Sequence, residues 1–381
     1  MKLLLEANSN TKILGSCFVA VLLPTLIFVA RRRHRSLEKG TLQVAVLGSG
    51  AIGTFVGLRL ISVARLVTLV GRTSLRKALQ SSNNTLVLRE KSGRKIAHRV
   101  GVGGLKVLLE SDDWSSLADH DVILLTVKTV ATRAVGASLA AALPRDARTI
   151  LVSLQNGVHN TNILRECLAS SHPHVTILAG VVALAVEWIP RTSTFSCNVP
   201  GKIYIERPAD TTAVATAIRL VQALTTAGVP THLRNDNMES LLDSKLLLNA
   251  ALNPVNALAG VPIPAMLADR GYRRVVSALL YEGSSVLGLS VWIKVVARAL
   301  EMVPGCLFRA ILHPEYKSSM LQDIERKRET TEVEDFNGEI CKRGDAPLHQ
   351  IILALVKTLE RERLFVRSSD DLLSKLGLST N

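Results

Sequence analysis

The chain has 381 residues, 48% apolar and 20% charged, and its 46 Lys and Arg against 32 Asp and Glu leave a net charge of +14. That composition excludes a disordered, collagenous or low-complexity chain, and the length predicts two domains. Aromatics make up only 4%, too few for a base-stacking surface. The five cysteines, Cys17, Cys167, Cys197, Cys306 and Cys341, form no CxxC pair and no Cys/His cluster. Neither a metal site nor a disulfide framework is expected, and a reducing compartment is. Residues 1–40 hold seven basic and two acidic residues, so +5 of the charge lies there and +9 is spread among interspersed acids. The expected reading is a solvated basic surface with no nucleic-acid partner.

The first element in chain order is the uncharged stretch Ile13 to Ala30, followed by Arg31-Arg32-Arg33-His34-Arg35. At about 1.5 Å per residue, eighteen residues just span a thin hydrocarbon core, and Pro24 kinks such a helix without forbidding it. The basic cluster predicts a retained anchor, with residues 1–40 as a membrane segment and the catalytic part in the cytosol. A cleaved signal has its charges on the other flank. An organelle-targeting segment, an organelle outer-membrane anchor and a misplaced start codon are the other readings, and they leave a cytoplasmic protein as the alternative. Cys17 after Leu14-Gly15-Ser16 resembles a lipidation box, but the apolar run lies mostly after it.

Beyond residue 40, Thr41 to Gly48 reads as a buried parallel strand and Ile52 to Ala64 as a helix. Further strands are predicted at Leu66–Val70, Val122–Val127, Thr149–Leu154 and Ile177–Val186, the last as one or two, with a helix running up to Leu143. This alternation indicates a doubly wound α/β domain over 41–235. From 236 to 381 the pattern is helical, with runs at Met238–Asn253, Arg273–Leu287 and Gln322–Cys341. The apolar stretch Val275–Leu312 is interrupted by Glu282, Lys294, Arg298, Glu301 and Arg309, which predicts a helical core rather than a second span.

Gly48-Ser49-Gly50-Ala51-Ile52-Gly53 matches G-x-G-x-x-G between a strand and a helix, the context that the motif requires. Gly48 permits the tight turn, Gly50 lets a pyrophosphate approach, and Gly53 lets helix and strand pack closely. The helix start then offers N–H groups and a positive dipole end to phosphate. The second strand ends in Val70-Gly71-Arg72, nineteen residues beyond Gly53, with Arg76 and Lys77 near and no acid at the place that holds an NAD ribose. A guanidinium binds a 2′-phosphate bidentately, so NADP(H) is the expected cofactor.

Three segments carry further polar residues. Thr126-Val127-Lys128 and Gln155-Asn156-Gly157-Val158-His159-Asn160 follow strand ends, where doubly wound sheets display ligands. Lys245, Asn249 and Asn253 recur at i, i+4 and i+8, so each is displaced about 40° from the last and the three form one stripe. Its flanks are Leu and Ala. A lysine buried there shifts toward neutrality and donates a proton to a developing alkoxide. Pro254 predicts that the helix ends or bends at Asn253. His159 is expected to be solvated, Trp188 and Trp292 to pack, and the charged run Asp323–Glu339 to be a solvated face apart from Glu332.

In this order GSGAIG, VGR, TVK, QNGVHN, SKLLLNAALNP, SSMLQDI and TEVEDFNG resemble the ketopantoate reductase family over about residues 42–360. The resemblance implies a Rossmann-type NADP domain, an all-helical second domain and a substrate between them. It implies hydride transfer from NADPH to the C2 ketone of 2-dehydropantoate, giving (R)-pantoate for pantothenate and coenzyme A synthesis. By resemblance Lys245 is the general acid, Asn249 and Asn253 hold substrate oxygens, Ser319 binds the carboxylate, and Glu332 contacts substrate or the lysine. Lys128 and Asn156 stand at the nicotinamide end, and Gly48, Ser49, Gly50, Ala51, Ile52, Gly53 and Arg72 hold the cofactor. Two departures are visible. The segment from Asp323 to Glu332 is one residue longer than the family pattern, and Pro262-Ile263-Pro264 replaces a common Pro-Asn-Gly.

The expected partners are thus a small 2-ketoacid, a bilayer through residues 13–30 and, as a further candidate, a second copy of the chain. A reductase of another 2-ketoacid is the near alternative. A membrane-tethered NADPH-binding sensor without catalysis is the distant one, but it does not need the polar stripe.

Overall fold

The computed structural model describes residues 40–90, 93–189 and 192–379. The expected anchor at 13–30 and Cys17 lie outside the described residues. Among those described, no helix is long and apolar enough to cross a membrane. The described residues divide into two compact units, 40–238 and 239–379.

The first unit starts with β1 (Gln43–Leu47), α1 (Ala51–Leu60), β2 (Leu66–Gly71) and α2 (Thr73–Gln80). Three strands absent from the sequence reading follow: β3 (Thr85–Arg89), β4 (Lys95–Arg99) and β5 (Leu105–Leu109). Then come β6 (Val122–Leu125), α3 (Thr132–Ala142), β7 (Ile150–Ser153), α4 (Asn160–Leu168) and β8 (Thr176–Trp188), the last a single strand. The unit closes with β9 (Thr194–Glu206), α5 (Thr211–Thr226) and β10 (Thr231–Arg234), all three also absent from the reading.

The ten strands form one sheet in the order β4-β3-β9-β8-β7-β6-β1-β2-β5, with β10 on β9. From β5 to the start of β8 the pairs are parallel, and the order reverses at β1 and β6. That reversal is the crevice where open α/β sheets bind ligands. The central strands are apolar and buried throughout because helices cover both faces. One core joins β1, β2 and β6 side chains to Phe55, Val56 and Leu58 of α1 and Ala217, Leu220 and Leu224 of α5. The other packs Val135 and Leu139 of α3 and Leu164 and Leu168 of α4 against Leu47, Ile123 and Leu125. Trp188 stacks on Phe195 at 5.4 Å, as expected for a packing residue.

The second unit is helical: α6 (Met238–Ala259, whose first residue closes the other unit), α7 (Ile263–Ala268), α8 (Arg270–Val286), α9 (Val291–Met302), α10 (Gly305–Ile311) and α11 (Ser319–Glu325). A π turn at Glu334–Gly338 leads into α12 (Glu339–Arg343), followed by α13 (Pro347–Glu362) and α14 (Ser369–Lys375). Helix starts carry their caps: Asp269 accepts from Gly271 N–H at 2.7 Å, Ser318 from Leu321 N–H at 3.2 Å and Ser368 from Asp371 N–H at 3.2 Å.

Four expectations are corrected here. Of the end or bend expected at Asn253, the end is excluded, because the helix runs through Pro254 to Ala259. The run Gln322–Cys341 is not one helix, because the chain leaves α11 with Lys327 at φ 56° and re-enters through the π turn. Nor is Asp323–Glu339 a solvated face: Asp323 and Glu339 are buried, and burial is tolerated because Asp323 pairs with Arg328 at 3.1 Å and Glu339 with Arg343 at 2.7 Å. Trp292 is exposed, since it sits in the first turn of α9 on the solvent side.

Candidate active site

The loop after β1 is built by three glycines with different duties. Gly48 has φ +100°, and a Cβ there would lie 2.6 Å from Val127 N, so only glycine fits. Thr126 Oγ1 donates to Gly48 O at 2.7 Å, which ties the β1 loop to the β6 end. At Gly53 a Cβ would strike Thr126 Oγ1 and the Gly48 carbonyl, so its absence allows α1 to close onto the strand. Gly50 differs, because the nearest atom to a Cβ there is Gly48 O at 4.0 Å. Among the described residues no packing requires that glycine. It leaves the start of α1 bare, with no side-chain cap and no acid in the first turn. The N–H groups of a first helical turn lack intrahelical acceptors, and they lie here in the residues Ala51, Ile52 and Gly53. These features fit the pyrophosphate of a dinucleotide. Ser49 is buried, and its N–H and its hydroxyl both bond Val70 O, at 3.1 and 3.0 Å. Its part is to shape the loop.

β2 ends at Gly71, and Arg72 follows as the residue preceding α2, exposed like Arg76 and Lys77. The loops after β6 and β7 are locked together by a network that the sequence reading missed. Gln155 Nε2 donates to Thr132 Oγ1 at 2.7 Å and to Val127 O at 3.2 Å. Thr132 donates to Asn160 Oδ1 at 2.7 Å, and Asn160 Nδ2 and Thr129 Oγ1 both donate to Asn156 O, at 2.7 and 3.0 Å. Gln155, Thr132 and Asn160 are buried. They hold the backbone carbonyls of Val127 and Asn156, and Lys128 and Asn156 are half-buried. The signal was present in QNGVHN itself, where Gln155 and Asn160 bracket the loop. His159 is exposed, as expected.

In the second unit α6 buries Leu246, Leu247, Ala250, Ala251, Val255 and Leu258. Lys245, Asn249 and Asn253 are each half-buried. The polar stripe is therefore a less covered seam on an otherwise packed helix. Ser318 joins the start of α11 to that seam: its N–H donates to Asn256 Oδ1 at 3.0 Å and its hydroxyl to Asn253 O at 3.4 Å. Asn256, with no exposed surface, also donates to Val261 O at 2.7 Å. Neither Ser318 nor Asn256 was singled out from the sequence. Ser319 is exposed beside them.

Glu332 is buried, and its carbonyl accepts from Phe336 N–H. The preceding Thr331 is clamped by Glu360, whose Oε1 accepts from its N–H at 2.7 Å and its hydroxyl at 2.8 Å. Behind the seam, Arg343 bonds Asp243 at 2.8 Å and Glu339 at 2.7 Å. Burial pushes the Asp243 carboxyl up, opposed by that guanidinium. Among the described residues no group of three or more His, Cys, Asp or Glu is placed to hold a metal ion.

His349 is fully buried, and desolvation pushes its pKa from 6.5 down to about 4. The unfolded chain therefore binds a proton that the folded chain refuses. Unfolding free energy is expected to be full above pH 6.5 and to fall between there and about pH 4, by on the order of 3 kcal/mol. Urea unfolding across that range checks this, and His349→Asn should remove that part of the slope.

A dinucleotide-type glycine loop on a doubly wound sheet, together with a helical unit bearing a Lys-Asn-Asn seam, defines a pyridine-nucleotide-dependent oxidoreductase. The comparisons give the family. The sequence profile described as Ketopantoate reductase PanE/ApbA matches residues 44–211, and that described as Ketopantoate reductase PanE/ApbA C terminal matches residues 237–360. The chain belongs to the ketopantoate reductase family. It is 28% identical over 331 residues to the 2-dehydropantoate 2-reductase of Archaeoglobus fulgidus, covering 84% of this chain and 98% of that one. Its fold matches a PanE/ApbA family ketopantoate reductase from Ralstonia eutropha, with TM-score 0.66 and 24% identity over 84% of this chain and 99% of that one. It also matches D-mandelate dehydrogenase solved with NADH and anilino(oxo)acetate, with TM-score 0.68 and 20% identity over 84% and 98%.

Proposed function

We propose that the chain reduces 2-dehydropantoate to (R)-pantoate with NADPH, using Lys245 as general acid. The observation that carries this reading is the half-buried seam of Lys245, Asn249 and Asn253 on a helix that buries Leu246, Leu247, Ala250, Ala251, Val255 and Leu258. A pure nucleotide binder has no use for it. Residues 41–235 serve as the cofactor domain and 236–381 as the substrate domain. When bound, the reduced nicotinamide supplies the hydride. Lys245 gives its proton to the carbonyl oxygen as C2 becomes an alcohol carbon, and it regains a proton from solvent. Asn249 and Asn253 donate hydrogen bonds to substrate oxygens, and Ser319 holds the carboxylate. Glu332 contacts the substrate or the lysine, and Lys128 and Asn156 orient the reacting ends. Holding partners in a reactive geometry supplies several kcal/mol of barrier reduction.

Arg72 favours NADPH over NADH in this reading. A hydrogen bond to a charged group is worth about 1.5–3 kcal/mol, roughly ten- to a hundredfold in affinity. Arg72→Ala is therefore expected to raise KM for NADPH by at least about tenfold and to leave that for NADH unchanged. Equal changes for both would exclude 2′-phosphate recognition by this residue.

The reading is tested by following reduced-nicotinamide absorbance with 2-dehydropantoate and a panel of other 2-ketoacids. Turnover with 2-dehydropantoate alone supports it. Turnover only with another ketoacid keeps the chemistry and moves the substrate, with Ile263, in the first turn of α7 where relatives commonly have Asn, as the first position to exchange. NADPH binding without any turnover supports the sensor reading. The bilayer tether through 13–30 belongs to the same proposal. Alkaline extraction of membranes carrying the full chain decides between retention through that segment and a cytoplasmic enzyme. A homodimer is checked by sedimentation.

A further inference from the structure

Pro254 lies inside α6, between the seam and the helix end. A proline has no N–H, so the carbonyl four residues earlier loses its helical donor. That carbonyl belongs to Ala250, in the turn that connects Asn249 to Asn253. A buried carbonyl without a donor is costly, and here the donor comes from elsewhere in the chain. Asn337 Nδ2, in the π turn Glu334–Gly338, lies 3.0 Å from Ala250 O.

The rest of the Asn337 environment fixes which way its amide points. The same nitrogen lies 2.9 Å from His349 Nδ1. His349 Nε2 lies 3.1 Å from Leu279 O on α8, which can only accept. His349 therefore carries its proton on Nε2 and accepts at Nδ1, so the Asn337 NH2 group faces both His349 and Ala250. Turning the amide over would set oxygen against oxygen. Asn337 and His349 have no exposed surface, and Asn337 Oδ1 has no partner among the described residues. The side chain is thus held for its two donors although its acceptor goes unmet. The backbone of His349 is held in turn, because Glu282 accepts from Leu348 and His349 N–H at 3.0 Å each. A π turn sits where α-helical geometry is locally given up, often beside functional sites.

We propose that Asn337 is a positioning residue for the reductase: it replaces the backbone donor lost at Pro254 and so sets the direction in which Asn249 and Asn253 project into the seam. His349 orients the Asn337 amide for that task. This inference rests on the ketoacid-reductase reading given above.

The test is a double-mutant cycle in the full chain with Asn337→Leu and Pro254→Ala. Alanine at 254 returns an N–H to Ala250 O, so the two changes must couple if the pairing is correct. Asn337→Leu alone is expected to lower kcat/KM for the 2-ketoacid by about tenfold or more, mainly through KM, with NADPH affinity unchanged. In the Pro254→Ala background the same change is expected to cost less than about threefold. If Asn337→Leu does not fold, the double variant is expected to recover a folded, active protein, and an equally unfolded double variant overturns the proposal. Equal losses in both backgrounds overturn it as well. The cycle is also read from unfolding midpoints. Coupling there without coupling in ketoacid KM contradicts positioning and leaves only a structural bond. A wild-type chain that reduces no 2-ketoacid refutes the underlying reading, while the midpoints still decide whether Asn337 and Pro254 are paired.

Discussion

Lys245→Ala is expected to lower kcat for 2-ketoacid reduction by about 10²–10⁴-fold, the usual contribution of a positioned general acid, while NADPH binding stays within about twofold. The split follows from where the residue sits. Lys245 is on α6 in the helical unit, whereas the glycine loop and Arg72 are in the α/β unit. The half-buried setting makes truncation tolerable for folding, since Leu246, Leu247, Ala250 and Ala251 keep the helix packed. Stopped-flow turnover beside fluorescence titration of NADPH measures both halves. A variant that turns over within about threefold of wild type would remove Lys245 from the mechanism. Partial recovery by added primary amines is expected, because what is missing is an ammonium proton.

The second large effect is expected at Gly50. Among the described residues its Cβ position meets only Gly48 O, at 4.0 Å, so Gly50→Ala should fold with an unchanged melting temperature. A methyl group on the phosphate approach acts as overpacking, worth about 1–3 kcal/mol, and NADPH affinity should drop roughly five- to a hundredfold. Gly53→Ala makes the contrast. There the methyl group meets Thr126 Oγ1 and the Gly48 carbonyl, so folding stability itself should fall by about 1–3 kcal/mol. Thermal melts with and without NADPH separate the two. Unchanged NADPH affinity in Gly50→Ala would mean that no ligand uses the space that this glycine keeps clear.

The parts legible in the sequence are those governed by local rules. β1 and α1 announce themselves because an apolar run, three spaced glycines and a helical period coincide. The seam at 245, 249 and 253 is readable because the helix repeat alone places the three residues together. The missed strands fail those rules for physical reasons. β4 alternates exposed and half-buried residues at a sheet edge. β9 contains Pro200-Gly201, a pair that usually breaks strands. In the sheet this pair falls at the register shift opposite Leu184, where the backbone comes so close to Ala183 that a Cβ at 201 would collide with it.

α5 is rich in threonine and β-branched residues and reads as a weak helix. It forms because Ala213, Ala217, Leu220 and Leu224 cover the sheet. The buried polar partners of the helical unit could not be read from local sequence. Asn337 lies 87 positions from the Ala250 carbonyl that it caps, and Ser318 lies 62 from Asn256. For the same reason Pro254 left a helix end open beside a bend: the donor that lets the helix continue is remote in sequence.

The most direct measurement incubates the full chain with 2-dehydropantoate and NADPH deuterated at nicotinamide C4, and analyses the product by mass spectrometry. Pantoate carrying one deuterium at C2, of R configuration, with the label transfer lost in Lys245→Ala, is the expected result. A chain that binds NADPH yet yields no labelled 2-hydroxyacid from 2-dehydropantoate or any other 2-ketoacid would contradict the assignment as a reductase.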